Sequence, residues 1–424
     1  MHKIKLLALV SLLLLICFAL GGCESETPEP VEITLLHGWG TMEPEHVRMR
    51  QIYEDFEKEH PEIHIKMGAM TSSEEVVNKV RDMLSVGEVP DIVFTGGYGR
   101  DSIYQFMVEN NKAVDLMPYI EADPAFKSNI SPQILDFWTT DGHLYTVSDV
   151  LLAGGGYWYN EEIFEQAGID TLPTTWDEFL DTCDRIAAWS EREGKNIIPV
   201  QLTKESSVYL ADALLLDSHP GGAQWVLEQQ MNIQPEEMDR ALQIMRKLYS
   251  YDTETEKGYS YRDVGEMFNQ GQVAIYINGV WVGKLIDEHI KANYACFPGE
   301  NGQSSACLSV ALGYVVGMTG EQEKIDASVE FLKYLLRKDT QERLFCKTGQ
   351  MPSNPNIEMR DYAAPEPRLC QAISVILDAD RKIEIPSNFW SSEQIAAFER
   401  HIFDVLSGRM STPDFLNLLK EAAG

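Results

Sequence analysis

Five segments between Val31 and Phe94 read strand, helix, strand, helix, strand, and this alternation constrains the chain more than any single motif. VEITLLH (31–37) is an apolar strand, and the stretch from Glu43 to His60 puts Val47, Ile52, Tyr53 and Phe56 near helical spacing. EIHIKM (62–67) alternates as a second strand. Ser72 and Ser73 offer an N-cap to a helix carrying Val76, Val77, Val80, Met83 and Leu84, and DIVF (91–94) is a short, continuously apolar third strand. Strands separated by helices pair in parallel through right-handed crossovers, so the pattern predicts an α/β fold built on open sheets.

Open parallel sheets bind ligands in the crevice beyond the carboxyl ends of their strands. Two such ends are His37-Gly38-Trp39-Gly40 and Thr95-Gly96-Gly97-Tyr98-Gly99-Arg100, both glycine-rich and each presenting an aromatic ring. ITLLHGWG (33–40) fits either the oxyanion loop of an ester hydrolase or a place where a sugar lies on an indole. The hydrolase requires a later Gly-x-Ser-x-Gly elbow, and the nearest match, Gly302-Gln303-Ser304-Ser305-Ala306, fails at its last position. A glycosidase needs two carboxylates across a cleft, and 66 acidic residues leave that reading open. His60 and His64 flank a strand with Pro61 between them and do not suggest a metal site, so no metal or cofactor is expected.

The N-terminus is a secretory signal: Lys3 and Lys5, an apolar run from Leu6 to Leu20, then Gly21-Gly22-Cys23. Leu20-Gly21-Gly22-Cys23 resembles the lipobox of bacterial lipoproteins, which implies cleavage after residue 22 and lipidation of Cys23. Residues 23–30 are polar and proline-rich and suit a flexible spacer. Removing residues 1–22 with their two lysines takes the formal charge from −31 to −33. Such a chain repels phosphates, which argues against nucleic acid as a partner and leaves the lipid as the only membrane attachment. The 402 residues that remain of 424 exceed one ordinary core, so two domains are expected. Cys183, Cys296, Cys307, Cys346 and Cys370 are scattered and odd in number; they read as reduced thiols, with a Cys296–Cys307 bridge as the alternative.

Further along, GGGYWYN (154–160) reads as one strand, EEIFEQAG as a helix closed by Gly168, and Thr175 as the N-cap of a helix with Glu178 in the capping-box position. NIIPVQL, QVAIYIN and YVVGM are later strands. Five blocks then carry a family resemblance: VPDIVF (89–94), NKAVDLMPYI (111–120), the run from Asp141 to Leu180 containing YWYN and PTTWDEF, FNQGQVAIYINGVW (268–281), and the run from Gly313 to Asn356 ending in TGQMPSNPN. In these blocks, and in their order, the chain resembles the extracellular solute-binding proteins of bacterial ABC importers, family 1, of the maltodextrin-binding type. It departs at Ser148-Asp149, where the family usually carries a proline.

The resemblance implies a two-lobed, type II periplasmic-binding-protein fold, each lobe a mainly parallel sheet flanked by helices, with the ligand in the hinge cleft. It places residues 31–147 with 308–351 in one lobe and 148–307 with 352–424 in the other. The implied ligand is a mono- or oligosaccharide, the implied partners are the transmembrane subunits of an ABC permease, and the protein is expected to be an extracytoplasmic monomer and not an enzyme. A peptide or polyamine is the alternative ligand. Sugars present hydroxyls in the ring plane and C–H patches on the faces, so aromatic rings and polar side chains bind them together. Trp39, Tyr98, Trp281 and Trp390 are the candidate stacking residues, with Trp158 added because it alternates with its tyrosine neighbours in YWYN. His37, Arg100, Asp101, Asp149, Lys204, Glu205 and Asn278 are the candidate polar contacts; Asp149 either bonds a ligand or caps a turn, and KESS (204–207) reads as a ligand-contacting loop. Ser309, Ala311 and Gly313 admit either close approach of a sugar or tight packing. Trp176 and Trp189 share a helix and belong to the core.

Overall fold

A computed structural model describes residues 29–71, 73–96, 102–218, 233–251, 258–299, 301–358 and 367–423. The signal, Cys23 and Ser72 lie outside these. Thirteen strands occur among the described residues: β1 (Val31–His37), β2 (Ile63–Ala69), β3 (Ile92–Gly96), β4 (Thr146–Val147), β5 (Val150–Gly154), β6 (Gly156–Asn160), β7 (Ile198–Val200), β8 (Val273–Ile277), β9 (Ala292–Cys296), β10 (Ser305–Ser309), β11 (Leu312–Val316), β12 (Met351–Pro352) and β13 (Arg381–Ile383). They form three sheets, ordered β2-β1-β3-β11-β4, β7-β8-β6-β9 and β12-β5-β10-β13.

The first sheet begins as the alternation predicts. β1 runs parallel to β2 from Val31↔Ile63 to His37↔Ala69 and parallel to β3 on its other side. The helices Pro44–Glu59 and Ser73–Ser85 make the crossovers. Ile33, Leu35, Ile52, Phe56, Val80 and Val93 are fully buried between the layers. β11 then lies antiparallel to β3, and β4 antiparallel to β11, so the sheet is mixed rather than mainly parallel. The cause is topological: β11 returns directly from the other lobe, with no crossover helix to reverse it. The second lobe is mixed for the same reason, β7 and β8 being parallel and β6 antiparallel to both β8 and β9.

GGGYWYN is two strands instead of one. Gly155 has φ +73°, and a Cβ there would lie 2.6 Å from the Cys307 amide nitrogen. Only glycine fits, and the turn sends β5 into the small third sheet and β6 into the second lobe. KESS is not a loop: Lys204 to Ser207 form the first turn of the helix Lys204–Ser218. Thr175 caps its helix by accepting from the Glu178 N–H, while the Glu178 carboxylate turns to Thr174. Cys296 and Cys307 are free buried thiols.

Three segments cross between the lobes, and buried hydrogen bonds knit them together. The Ser148 hydroxyl donates to the Val310 carbonyl (2.6 Å) and the Ser353 hydroxyl to the Ser148 carbonyl (2.6 Å). The Asp149 carbonyl accepts from the Gln341 amide (2.7 Å) and the Ser353 N–H (3.3 Å). The Asp149 carboxyl accepts from the Tyr314 hydroxyl (2.9 Å), which meets the Tyr53 hydroxyl (2.9 Å). At 1% exposure Asp149 offers no surface to a ligand, so its role is structural, tying the crossing rather than contacting solute.

Burial pushes the Asp149 carboxyl up to about 7 from its ordinary 3.8. The folded chain then keeps a proton that the unfolded chain loses, and stability falls as pH rises from about 4 to about 7. Asp149→Asn, which keeps an acceptor for Tyr314, removes that slope. The stability difference, variant minus wild type, should climb across this window and level above it, by at most about 4 kcal/mol at about 1.4 kcal/mol per pH unit. Denaturant melts at several pH values check this, and a difference independent of pH contradicts it.

Candidate functional site

The carboxyl ends of the parallel strands in the two lobes bound the cleft. In the first lobe β1 ends at His37, whose Nδ1 accepts from the Trp39 N–H (3.1 Å) and whose carbonyl accepts from the Met70 N–H (2.9 Å). Burial first, then the charge of Arg50 and the neighbouring His46, hold the His37 imidazole down to about 4. It is neutral near pH 7, and since Nδ1 accepts, the proton sits on Nε2, which is buried without a hydrogen-bond partner. At 0% exposure the ring shapes the loop from beneath and, unlike the expected polar contact, offers a ligand no surface. Trp39 is half-buried, its ring 5.4 Å from Phe94 and 5.1 Å, edge-on, from His46. Arg50 donates to the carbonyls of Trp39 and Thr41, so the loop is clamped to the helix that follows it. Tyr98, Arg100 and Asp101 lie outside the described residues.

In the second lobe the end of β8 builds a platform. Asn278 is buried: its carboxamide oxygen accepts from the Gly279 N–H (2.8 Å) and its amino group donates to the Tyr276 hydroxyl (3.2 Å), which fixes the turn. The half-buried Trp281 folds back over that turn, so close that a Cβ on Gly279 would stand 2.0 Å from its ring. A Cβ on Gly154 of β5 would stand 3.5 Å from the same ring. Tyr209 meets Trp281 edge-on at 6.4 Å. At the end of β7 the helix Lys204–Ser218 starts, and Glu205 and Tyr209, four apart, share a face of it. Glu205 is half-buried; burial, then the charge of Glu399, pushes its carboxyl up to about 7.

Other candidates stand elsewhere. Trp158 is fully buried, its indole N–H donating to the Gly279 carbonyl (2.9 Å) and its ring 5.2 Å from Tyr294. It supports the turn beneath Trp281 instead of facing a ligand. Trp390 is 4% exposed and packs 5.9 Å from Phe398 in the second lobe's core. Ser309 accepts from the Asn388 amide (3.0 Å), and a Cβ on Gly313 would lie 2.6 Å from the Thr146 hydroxyl, so packing accounts for both small residues. His64 pairs with Glu57 (2.7 Å) and His60 with Glu62 (3.2 Å); among the described residues no group of three or more His, Cys, Asp and Glu is placed to hold a metal.

Sequence reasoning passed over Tyr209, Tyr261, Arg262 and Glu43. Tyr209 carried a signal, its four-residue offset from Glu205, hidden once KESS is read as a loop. Glu43 and Arg262 pair across the lobes although 219 positions separate them, which no local pattern announces. Trp158 and Trp281 should respond unequally to truncation. Trp158→Ala removes a fully buried ring and should cost about 3–5 kcal/mol of unfolding free energy, whereas Trp281→Ala should cost less than half of that. Denaturant unfolding of both variants distinguishes support from platform.

Residues 51–366 match the family described as bacterial extracellular solute-binding protein. A multiple sugar-binding protein of Streptococcus mutans is 23% identical over 82% of this chain and 81% of its own length. An ABC transporter extracellular-binding protein of Pyrococcus horikoshii is 21% identical over 86% of each chain. Among solved structures, a chitin oligosaccharide binding protein superposes with TM-score 0.77 at 19% identity, covering 93% of this chain and 98% of that one. A Streptococcus pneumoniae solute-binding protein in complex with the blood group A-trisaccharide gives TM-score 0.74 at 20% identity, covering 92% and 98%. With the family match spanning most of the sequence and the two-lobed fold shared, the chain belongs to the bacterial extracellular solute-binding proteins.

Proposed function

We propose that the chain captures a carbohydrate in the cleft between its lobes and presents it to the transmembrane subunits of an ABC importer carried on other chains. The observation that carries this reading is the platform at the end of β8: a half-buried indole held on glycine, an edge-on tyrosine and a half-buried carboxyl, with Trp39 at the end of β1 in the other lobe. Flat rings cover the C–H faces of a sugar while a carboxyl accepts from its hydroxyls. The relatives named for sugars support the same chemistry. Tyr98, Arg100 and Asp101 belong to this proposal through their place after β3.

Capture requires no bond-making. The ligand binds one lobe, and rotation at the crossings brings the other onto it. The lobes on this reading run 31–147 with 308–351 and 148–307 with 352–424. Lipidation of Cys23 tethers the monomeric chain to the outer face of the cell membrane through the 23–30 spacer, as the lipobox-like residues imply.

Thermal-shift screening of the chain from residue 24 against carbohydrates, peptides and polyamines tests the assignment. A bound ligand at 100 times its Kd stabilises by about 2.7 kcal/mol. A carbohydrate should raise Tm, and Trp281→Ala should weaken it at least tenfold, about 1.4 kcal/mol. A shift by polyamines or peptides alone overturns the carbohydrate reading, and release of shorter sugars on incubation makes the chain a glycosidase.

A further inference from the structure

A second recess of about 230 Å³ opens where the lobes meet, lined by Glu43 from the first lobe and by Tyr261, Arg262, Gly265, Glu266 and Tyr276 from the second. Leu285, on the same short 3-10 helix as Trp281, closes one side. Its volume falls below the range of about 300–1,000 Å³ usual for a whole small-molecule site, so it suits one unit of a longer ligand. It also adjoins the platform. The Tyr276 hydroxyl accepts from Asn278 (3.2 Å), which sets the Trp281 turn, and donates to the Tyr261 carbonyl (2.8 Å). Glu205 lies near enough for its charge to act on both Tyr261 and Tyr276.

The lining has two characters. The Tyr261 ring and the Leu285 side chain provide apolar faces, with the buried Tyr276 packed behind them, while Arg262, Glu43 and Glu266 bring donors and acceptors to the rim. Arg262 pairs with Glu43 and donates to the Tyr261 hydroxyl (2.9 Å). That guanidinium is thus occupied, and the rim alternates donors with acceptors beside a half-buried aromatic ring, an arrangement that suits an uncharged ring bearing hydroxyls. A polyamine, which the carboxylates would also attract, is separated from it by the thermal-shift screen. Gly265 forms the floor: a Cβ there would already approach the Tyr276 hydroxyl at 3.4 Å, and a longer side chain would fill the space.

We infer that this interlobe recess is an outer subsite that seats an additional sugar unit beyond the one on Trp281, so that the ligand is an oligosaccharide. The inference rests on the carbohydrate reading above. Because both lobes line the recess, a ligand reaching it touches groups that come together only when the lobes do. Chain length is then read by closure as well as by contact area.

Titration calorimetry with malto-, cello-, xylo- and chito-oligosaccharides of one to six units provides the test. In the wild type, Kd for the series that binds should fall at least fivefold as the sugar grows long enough to reach the recess. Tyr261→Ala removes a wall and Gly265→Leu fills the floor; each should shrink that length-dependent gain to less than twofold. Glu266→Ala, at an exposed position, should reduce it two- to threefold and keeps the test valid if either of the others folds poorly. A gain equal to wild type in all three variants overturns the subsite and leaves carbohydrate binding standing. An equal loss at every length makes the recess only a seam of lobe closure and also overturns it. Failure of every series to bind the wild type overturns instead the carbohydrate reading beneath it.

Discussion

The Asp149 carboxyl, buried among three chain crossings and bonded by the Tyr314 hydroxyl, is the point from which the two lobes take their relation. Burying a carboxylate is costly, and the cost is lowered when the group keeps its proton and when its neighbours are satisfied. The carboxyl, pushed up to about 7, meets the first condition, and the main chain meets the second, where the Asp149 carbonyl takes donors from the Gln341 amide and the Ser353 N–H. Gln341 in turn accepts from the Ser353 N–H (2.8 Å) and donates to the Leu335 carbonyl (2.8 Å), so one buried amide joins a helix, a crossing and β12's exit. A hinge built this way has fixed register at its centre. Rotation is left to the few residues that flank it.

From that hinge a polar line runs to the cleft. Tyr314 meets Tyr53, and the Tyr53 ring lies 5.4 Å from the buried imidazole of His37 at the end of β1. The two titrating ends of this line act in opposite senses. Asp149 favours the folded chain less as pH rises through its window, while His37, held down to about 4, favours it more between about 4 and 6.5 because the unfolded imidazole takes a proton that the folded one refuses. The opposing slopes partly cancel in the intact chain. Two buried ionisable groups are thereby retained without a steep acid dependence.

Much of the first lobe was legible because its signals are local. VEITLLH, EIHIKM and DIVF carry the strand period, and Val76, Val80 and Leu84 carry the helical one. Trp281 was legible because a glycine turn after a buried strand brings the next large side chain towards the surface. Trp158 was not, since strand alternation assigns opposite faces without saying that both faces of β6 are covered. Gly155 was misread for a related reason: three consecutive glycines do not announce which one takes φ +73° and splits the strand. Arg262 and Glu43 escaped because their pairing depends on the lobes' meeting, a fact of tertiary structure alone.

The energetics of closure depend on where these groups sit. Trp281 stands on the turn after β8 in the second lobe, with its ring against Gly154 of β5, whereas Trp39 is clamped by Arg50 to the first lobe. Closure therefore alters the distance between the two indoles more than the seating of either. One of the direct links between the lobes, Glu43 with Arg262, is a partly exposed pair at 30% and 49% side-chain exposure, worth about 0–1 kcal/mol; Lys284 also donates to the Cys346 carbonyl (2.7 Å) and Phe137 meets Phe389 at 5.7 Å. Swinging a two-state hinge from 1:99 to 99:1 takes about 5.5 kcal/mol. The ion pair is available with or without ligand and so cannot supply that shift; contacts that a ligand makes to both lobes at once must carry it, and a ligand confined to the Trp281 platform would bind without closing the cleft.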